Sequence, residues 1–307
     1  MNELPEFPEF KPLELGDEPV IKAFFEKEEP YSDFNFVSMW SWNTDKQIEV
    51  STLHGNLVVK FIDYTSFKPF YSYIGPGPVA ETAATLLEHA EAIGIEENLK
   101  LVPKRIAETL ATDDVFLVEE HRKQFDYVYS FADLAEFKGK KFHNKRRLAN
   151  KFVEKYGEVE IVEKDAKKEE NQVLIFELLT TWNENNNGEK AEDLLQIQKS
   201  IIRLFECVEE NDSPVVLHTL FIEGKLAAFS LDEPMHDGHV LSHFCKTDFN
   251  YTGITEYFNK KLSEKLLNEN LHYWNWEQDV DDEALRRMKE GYRPAFYQKK
   301  YKVTKKK

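Results

Sequence analysis

The order in which hydrophobic periodicities follow one another after Phe142 constrains this chain more than any other feature. Phe142, Ala149, Phe152, Val153 and Tyr156 recur at helical spacing, which leaves the intervening bases on the opposite face. Glu158–Val162 reads as a strand, Gln172–Trp182 as an apolar helix closed by Asn185-Asn186-Asn187-Gly188, and Ala191–Val208 as a longer amphipathic helix. Val215–Glu223 and Leu226–Asp232 form a hairpin across Gly224-Lys225, and His239–Lys246 is a third consecutive strand. Thr252 is expected to cap a helix reaching about Asn268; His272–Trp276 is a strand, Asp281–Glu290 a helix ended by Gly291, and Ala295–Val303 a last strand. The order β-α-α-β-β-β-α-β-α-β makes this half a mixed α/β (α+β) unit.

The first half is less regular. An extended, proline-rich lead-in precedes a short helix near Pro19–Lys27, and an aromatic helical segment through Met39, Trp40 and Trp42 is expected to take Ser32 or Asp33 as its N-cap. Gln47–Leu53 and Leu57–Tyr64 alternate apolar with polar residues around His54-Gly55-Asn56, the pattern of a β-hairpin. Phe70–Ile74 is a strand stopped by Gly75-Pro76-Gly77-Pro78, Glu81–Ala92 an amphipathic helix, and Lys100–Val102, Val115–Val118 and Phe125–Tyr129 are short strands.

At 307 residues the chain outgrows a single core, which rarely exceeds about 250–300 residues, so two domains are expected, 1–130 and 131–307. The acidic start from Met1 to Glu6 and the lack of a long apolar run imply neither a signal peptide nor a membrane-spanning segment. Two distant cysteines, Cys207 and Cys245, suit a reducing cytoplasm and small buried roles. A net charge of −16 argues against DNA and against blanket nucleic-acid binding. The charge is uneven: residues 1–125 carry 23 acids and 11 bases, the remainder 33 and 29. Bases concentrate between Lys138 and Lys155 and in the last fifteen residues, which hold no acid, leaving room for a local polyanion site.

Helices before a three-strand meander, then a helix and a strand, is the chain order of the GNAT-type N-acyltransferase architecture, in which a splayed sheet opens a substrate cleft. The first half has the elements of a degenerate copy, although no close sequence repeat is present. Three segments then bear a family resemblance: Phe137-Lys138-Gly139-Lys140-Lys141-Phe142-His143-Asn144-Lys145-Arg146-Arg147-Leu148, Trp274-Asn275-Trp276-Glu277-Gln278-Asp279, and Leu285-Arg286-Arg287-Met288-Lys289 with Tyr292-Arg293-Pro294. Together with Ser32-Asp33-Phe34-Asn35-Phe36 and Trp40, they resemble the C-terminal domain of phosphatidylglycerol lysyltransferases. The resemblance implies tandem GNAT-like domains related to the Fem-type aminoacyltransferases, with aminoacyl-tRNA as donor and a lipid-headgroup hydroxyl as acceptor. The membrane-embedded domain of those enzymes is missing from this sequence, and Val280-Asp281-Asp282-Glu283-Ala284 replaces the glycines usual before the arginine. A small molecule or a peptide therefore stands beside the lipid headgroup as acceptor.

Glu277 and Asp279 follow a strand end, where ligands bind in open α/β sheets, and could anchor an aminoacyl ammonium or take a proton from an attacking amine or hydroxyl; merely suiting the dipole of the following helix is the plainer reading, and both stand. Asp281 to Glu283 read simply as helix-start acids. Arg286 matches the family's arginine, whose fork would hold a carboxylate or phosphate. His243 is a candidate proton shuttle, and Trp182, Asn275 and Tyr251 are candidates for substrate contact, each with an ordinary packing role as the alternative. Lys140, Lys141, Lys145, Arg146 and Arg147, with the lysine tail, would guide tRNA phosphates; exposed lysines on a helix are more often merely solvating. His236, His239 and His243 lack metal-ligand spacing, so no metal is expected. Coenzyme A needs an open glycine-rich turn at a helix N-terminus, and Asp248-Phe249-Asn250-Tyr251-Thr252-Gly253-Ile254 offers one glycine among bulky rings.

These features point to an acyl or aminoacyl transferase working without a covalent enzyme intermediate and with no certain cofactor. A coenzyme A-dependent N-acyltransferase and a non-catalytic binding protein on the same fold are the alternatives.

Overall fold

The computed structural model describes residues 3–63, 66–185 and 191–306. Tyr64, Lys307 and the Asn186–Gly188 portion of the expected helix stop lie outside the described residues. In chain order the elements are β1 (Lys11–Pro12), α1 (Glu18–Lys22), α2 (Phe36–Trp42), β2 (Glu49–Leu53), β3 (Asn56–Ile62), β4 (Pro69–Ile74), α3 (Val79–Ile93), β5 (Leu99–Pro103), α4 (Lys104–Leu110) and β6 (Phe116–Glu120). There follow β7 (Asp126–Ser130), α5 (Phe131–Glu136), α6 (His143–Tyr156), β8 (Val162–Lys164), α7 (Glu169–Asn185), α8 (Ala191–Asn211), β9 (Val216–Ile222), β10 (Lys225–Pro234), β11 (His239–Thr247), α9 (Ile254–Asn268), β12 (Tyr273–Asn275), α10 (Glu283–Gly291), β13 (Phe296–Gln298) and β14 (Lys300–Lys305).

The chain divides into two compact units. The first comprises Met1–Asp126, Gln278–Asp282 and Gln298–Lys307, the second Tyr127–Glu277 and Glu283–Tyr297. The chain first changes unit at Asp126 rather than after residue 130, and the C-terminal residues join the first unit. One sheet runs β1-β2-β3-β4-β5-β14-β6 and the other β8-β9-β10-β11-β12-β7-β13. Position by position the two orders are the same, with two helices after the first strand, one between the fourth and fifth and one between the fifth and the last. The fold is thus a tandem pair of GNAT-like units, each a mixed sheet flanked by helices.

The second strand joins the third in both units through the same kind of turn. His54 (φ 51°) and Gly55 (φ 79°) lie between the paired Leu53 and Asn56, and Glu223 (φ 50°) and Gly224 (φ 81°) between Ile222 and Lys225. Two consecutive left-handed residues match the twist of the flanking strands, which explains why X-Gly recurs at both points.

The strand next to last in each sheet, β14 in the first and β7 in the second, comes from the other half of the chain. Ala295–Val303, which reads as one strand, is two: only Lys299 separates β13 from β14. A reversal into the same sheet needs a turn of at least about two residues, so the chain cannot double back there. β14 instead pairs antiparallel with both β5 and β6.

Burial follows the alternation. In the first unit Val58, Tyr73, Leu86, Val102, Ile106 and Val303 share a core, and in the second Tyr129, Phe131, Phe152, Phe258, Leu262 and Trp274 do. Phe131 stacks on Trp274 with ring centres 5.6 Å apart. Two expected caps are corrected. Asn35 caps α2, its Oδ1 accepting the Ser38 N–H at 2.8 Å, while Gly253 occupies the N-cap of α9 at φ 82°.

Ser32 and Asp33 have a different role. Lys300 Nζ, fully buried, lies 2.6 Å from Asp126 Oδ1 and 3.1 Å from Ser32 Oγ and is ion-paired with Asp33. Ser32 donates its N–H and hydroxyl to Asp126, and Gln278 donates its amide to Asp33 at 2.7 Å. Four separated segments of the first unit meet at one buried ammonium.

His121, whose backbone N–H donates to the Lys300 carbonyl, sits in the same unit. Burial, with Lys123 and Lys100 nearby, pushes its imidazole down to about 4. A histidine held neutral in the fold supports stability above its unfolded pKa and loses that support as pH falls from about 6.5 toward 4. His121→Asn is expected to flatten the decline over that window, as read by denaturant unfolding at stepped pH.

Candidate active site

β11 carries a bulge. Leu231 of β10 faces Phe244 and Asp232 faces Ser242, so His243 is the extra residue. Parallel pairing with β12 covers His239↔Tyr273, Val240↔Trp274 and Leu241↔Asn275 and ends there, while β11 continues to Thr247. The chain after β12 stays with β7, since the Trp276 N–H donates to the Tyr127 carbonyl and the Tyr127 N–H to the Glu277 carbonyl. The second unit's sheet therefore opens between β11 and the exit of β12, next to the bulge.

The exit of β12 is held from three directions. Buried Asn275 accepts the Glu277 N–H on its Oδ1 at 2.8 Å, and Glu277 takes the left-handed φ of 57°. Lys289 of α10, also buried, donates to the carbonyls of Trp276 and, at 3.3 Å, of Glu277. Arg286 lies three residues before Lys289, on the same side of α10, and is partly buried. Its neighbour Arg287 is exposed and donates to the Glu283 carbonyl.

Asp279 belongs to the first unit. It is fully buried, with Oδ2 3.4 Å from Arg122 Nη1 and Oδ1 accepting the Asp281 N–H at 3.0 Å, so it closes its own turn. Glu277 and Asp279, two residues apart in sequence, thus fall in different units.

Consecutive acids on β10 each hold a histidine. Buried Glu233 lies 3.0 Å from His243 Nε2; Asp232 lies 2.9 Å from His218 Nδ1 and accepts the Trp274 indole N–H at 3.1 Å. Neighbouring strand residues point to opposite faces, so the two pairs lie on either side of the sheet. Where β11 no longer pairs with β12, Lys246 Nζ stands 4.6 Å from the ring centre of Trp182, and just beyond the strand Asn185 donates to Asp248 at 2.9 Å. Tyr251 packs edge-on against Tyr156 at 5.4 Å. Glu233 and Lys246 carry no motif of their own in the sequence; the one available signal was a histidine on the neighbouring strand run for each member of Asp232-Glu233.

The turn from β11 into α9 is where a GNAT-type protein would cradle pyrophosphate. A Cβ on Gly253 would lie 2.1 Å from the Leu148 carbonyl oxygen, so α6 is pressed against that helix start. The equivalent turn of the first unit, Gly75 to Pro78, is also filled. Its prolines carry no N–H, Gly77 donates to Asn56 Oδ1 at 2.8 Å, and Arg105 donates to the Gly75 carbonyl at 2.7 Å.

The basic residues separate once their partners are known. Lys299 pairs with Glu120, Lys305 with Glu88 at 3.0 Å and Lys306 with Asp114 at 3.7 Å, while Lys300 is buried. On α6 and the turn before it, Arg146 donates to the Phe137 carbonyl, Lys141 pairs with Asp133 at 2.7 Å and Lys145 with Glu256 at 3.2 Å. Arg147 and Lys140 are exposed. Lys140, Lys141, Lys145 and Arg293 line a cavity of about 440 Å³. Among the described residues, no cluster of three or more His, Cys, Asp or Glu side chains is placed to hold a metal ion, and no helix is long and apolar enough to cross a membrane.

The sequence profile of the family described as "Phosphatidylglycerol lysyltransferase, C-terminal" matches residues 25–304. A conserved protein of unknown function from Bacteroides thetaiotaomicron is similar over 99% of this chain and 100% of its own, with 25% identity and a TM-score of 0.81. L-PGS from Bacillus licheniformis superposes with a TM-score of 0.60 at 15% identity, covering 99% of this chain and 94% of that one. The C-terminal (DUF2156) domain of a protein named as a lysylphosphatidylglycerol synthetase from Agrobacterium fabrum gives a TM-score of 0.59 at 12% identity over 94% and 91% of the two chains. At those identities the last two show a shared fold. Among curated proteins, none matches the chain by sequence.

Proposed function

Because this chain belongs to the phosphatidylglycerol lysyltransferase C-terminal family, we propose that it moves an aminoacyl group from aminoacyl-tRNA to an amine or hydroxyl acceptor, at the opening of the second unit's sheet. The observation that carries this reading is the separation of β11 from β12 at Leu241 and Asn275 beside a bulge, with Glu277 at the strand exit and Lys246 against Trp182 on the opposite strand. The acceptor's nitrogen or oxygen attacks the ester carbonyl that joins the amino acid to the ribose. Its proton passes to Glu277, the carbonyl–ribose bond breaks, and the ribose oxygen leaves as a hydroxyl after receiving a proton. Arg286 fixes the donor or acceptor, and His243, oriented by Glu233, is a second proton-carrying group. Asn275 is a positioning residue that sets the backbone of Glu277. The basic start of α6 would meet the tRNA.

The filled turns at Gly253 and at Gly75–Pro78 favour an aminoacyl donor over a coenzyme A thioester, because neither leaves a helix start open to pyrophosphate. Transfer assays with pools of charged tRNA, offering phosphatidylglycerol vesicles, free amines and peptides as acceptors, test the reading. Glu277→Gln and Arg286→Ala should each lower transfer by about a hundredfold or more while leaving the melting temperature unchanged. A saturable thermal shift with acetyl-CoA would favour the coenzyme A alternative, and filter binding of charged tRNA that weakens with salt but ignores these variants, with no transfer, would favour a binding protein.

A further inference from the structure

The cavity lined by Lys140, Lys145 and Arg293 has no aspartate or glutamate among its lining residues. Lys145 forms its anchored side, since its ammonium is 3.2 Å from Glu256 and 3.5 Å from the ring centre of Tyr292. Lys140 and Arg293 are exposed and form no ion pair among the described residues, on a chain with 56 acids and 40 bases. Lys299, Lys300, Lys305 and Lys306, by contrast, meet carboxylates.

Local structure at the cavity runs against folding preference twice. The first turn of α6 carries no acid and contains Lys145 and Arg146, the charge sign that a helix N-terminus disfavours. Arg293 adopts φ 58°, where glycine or asparagine is the cheaper residue. Locally unfavourable choices that converge on one cavity are the mark of a site kept for binding.

We propose that this cavity binds a single phosphate group, with the Arg293 fork and the Lys140 ammonium as its charged donors and His143 and Asn144 at the wall as further hydrogen-bonding groups. A phosphomonoester and an RNA phosphodiester present the same non-bridging oxygens, so the site recognises that shared chemistry. The cavity lies at the basic start of α6 that the proposed function gives to tRNA and deepens that reading, but phosphate binding is measured without transfer, so failure of the one is distinguishable from failure of the other.

Calorimetric titration of the full chain with inorganic phosphate, adenosine 5′-monophosphate and a short RNA tests it. Saturable binding of at least one probe is expected, weakened about tenfold or more by Arg293→Ala and by Lys140→Ala and unchanged by Lys299→Ala. Gly291→Glu gives an independent block: a Cβ there would stand 3.9 Å from Lys145 Cε, so a longer side chain brings a carboxylate to the cavity. If the small probes saturate the site and compete with RNA, the phosphate is that of a free ligand. If only RNA binds, with a salt slope reduced by about one in Arg293→Ala, it is that of a strand. No binding by any probe, or binding that Arg293→Ala, Lys140→Ala and Gly291→Glu all leave intact, overturns the proposal.

Discussion

Replacing Lys300 with methionine should cost about 3–5 kcal/mol of stability, measured by denaturant unfolding, because it removes the buried ammonium that pairs with two buried carboxylates. Asp126 would keep its Ser32 donors, but both carboxyls would lose the Lys300 ammonium in a place with little solvent. Lys300→Met combined with Asp33→Asn and Asp126→Asn should recover much of the loss, since the desolvation of unpaired charge disappears with the charges. Asp33 also supplies a pH signature. Burial holds its carboxyl above the ordinary aspartate range, against the pull of Lys300 and with the push of Asp126. A raised folded pKa means that its contribution is fully present below the unfolded value and is lost as pH rises through the folded one. Asp33→Asn alone should therefore reduce the change in stability across that window. An unchanged pH profile would contradict this electrostatic account.

Gly253→Ala should destabilise the second unit by roughly 3 kcal/mol, the sum of a left-handed backbone penalty and a forced shift of α6. The methyl would fall 2.1 Å from the Leu148 carbonyl oxygen, and backbone yields far less readily than a side-chain tip. Gly55→Ala is the control. It shares the positive φ but has open space around it, so only the conformational share of the loss should appear. Equal losses at the two positions would mean that α6 does not press on the start of α9.

Much of the second unit was legible because its signals are local. Glu223-Gly224 and the alternating runs beside it specify a hairpin through backbone twist alone, and the apolar spacing from Phe142 to Tyr156 needs only neighbours three and four residues away. α4 and α5 went unread because they span 7 and 6 residues, too few for a helical period to show. Ser32 and Asp33 resembled caps because small polar residues before an aromatic run usually are. Their burial depends on Asp126 and Lys300, which nothing nearby announces. Of the candidate site, Glu277, Asn275 and Arg286 were singled out from the strand exit and family motifs and His243 from its place on a strand, whereas the bulge that makes His243 the extra residue is a property of pairing.

Periodicity, turn residues and short motifs determined which segments become strands and helices, their order, and the family, since each acts over a few neighbouring positions. Tertiary structure alone decided which basic residues are spent and which remain. Lys300 and Asp126 are 174 positions apart, Lys305 and Glu88 are 217, and Lys145 and Glu256 are 111. A lysine reads the same in sequence whether its partner is water, a carboxylate or a ligand, and only folding brings the partner to it.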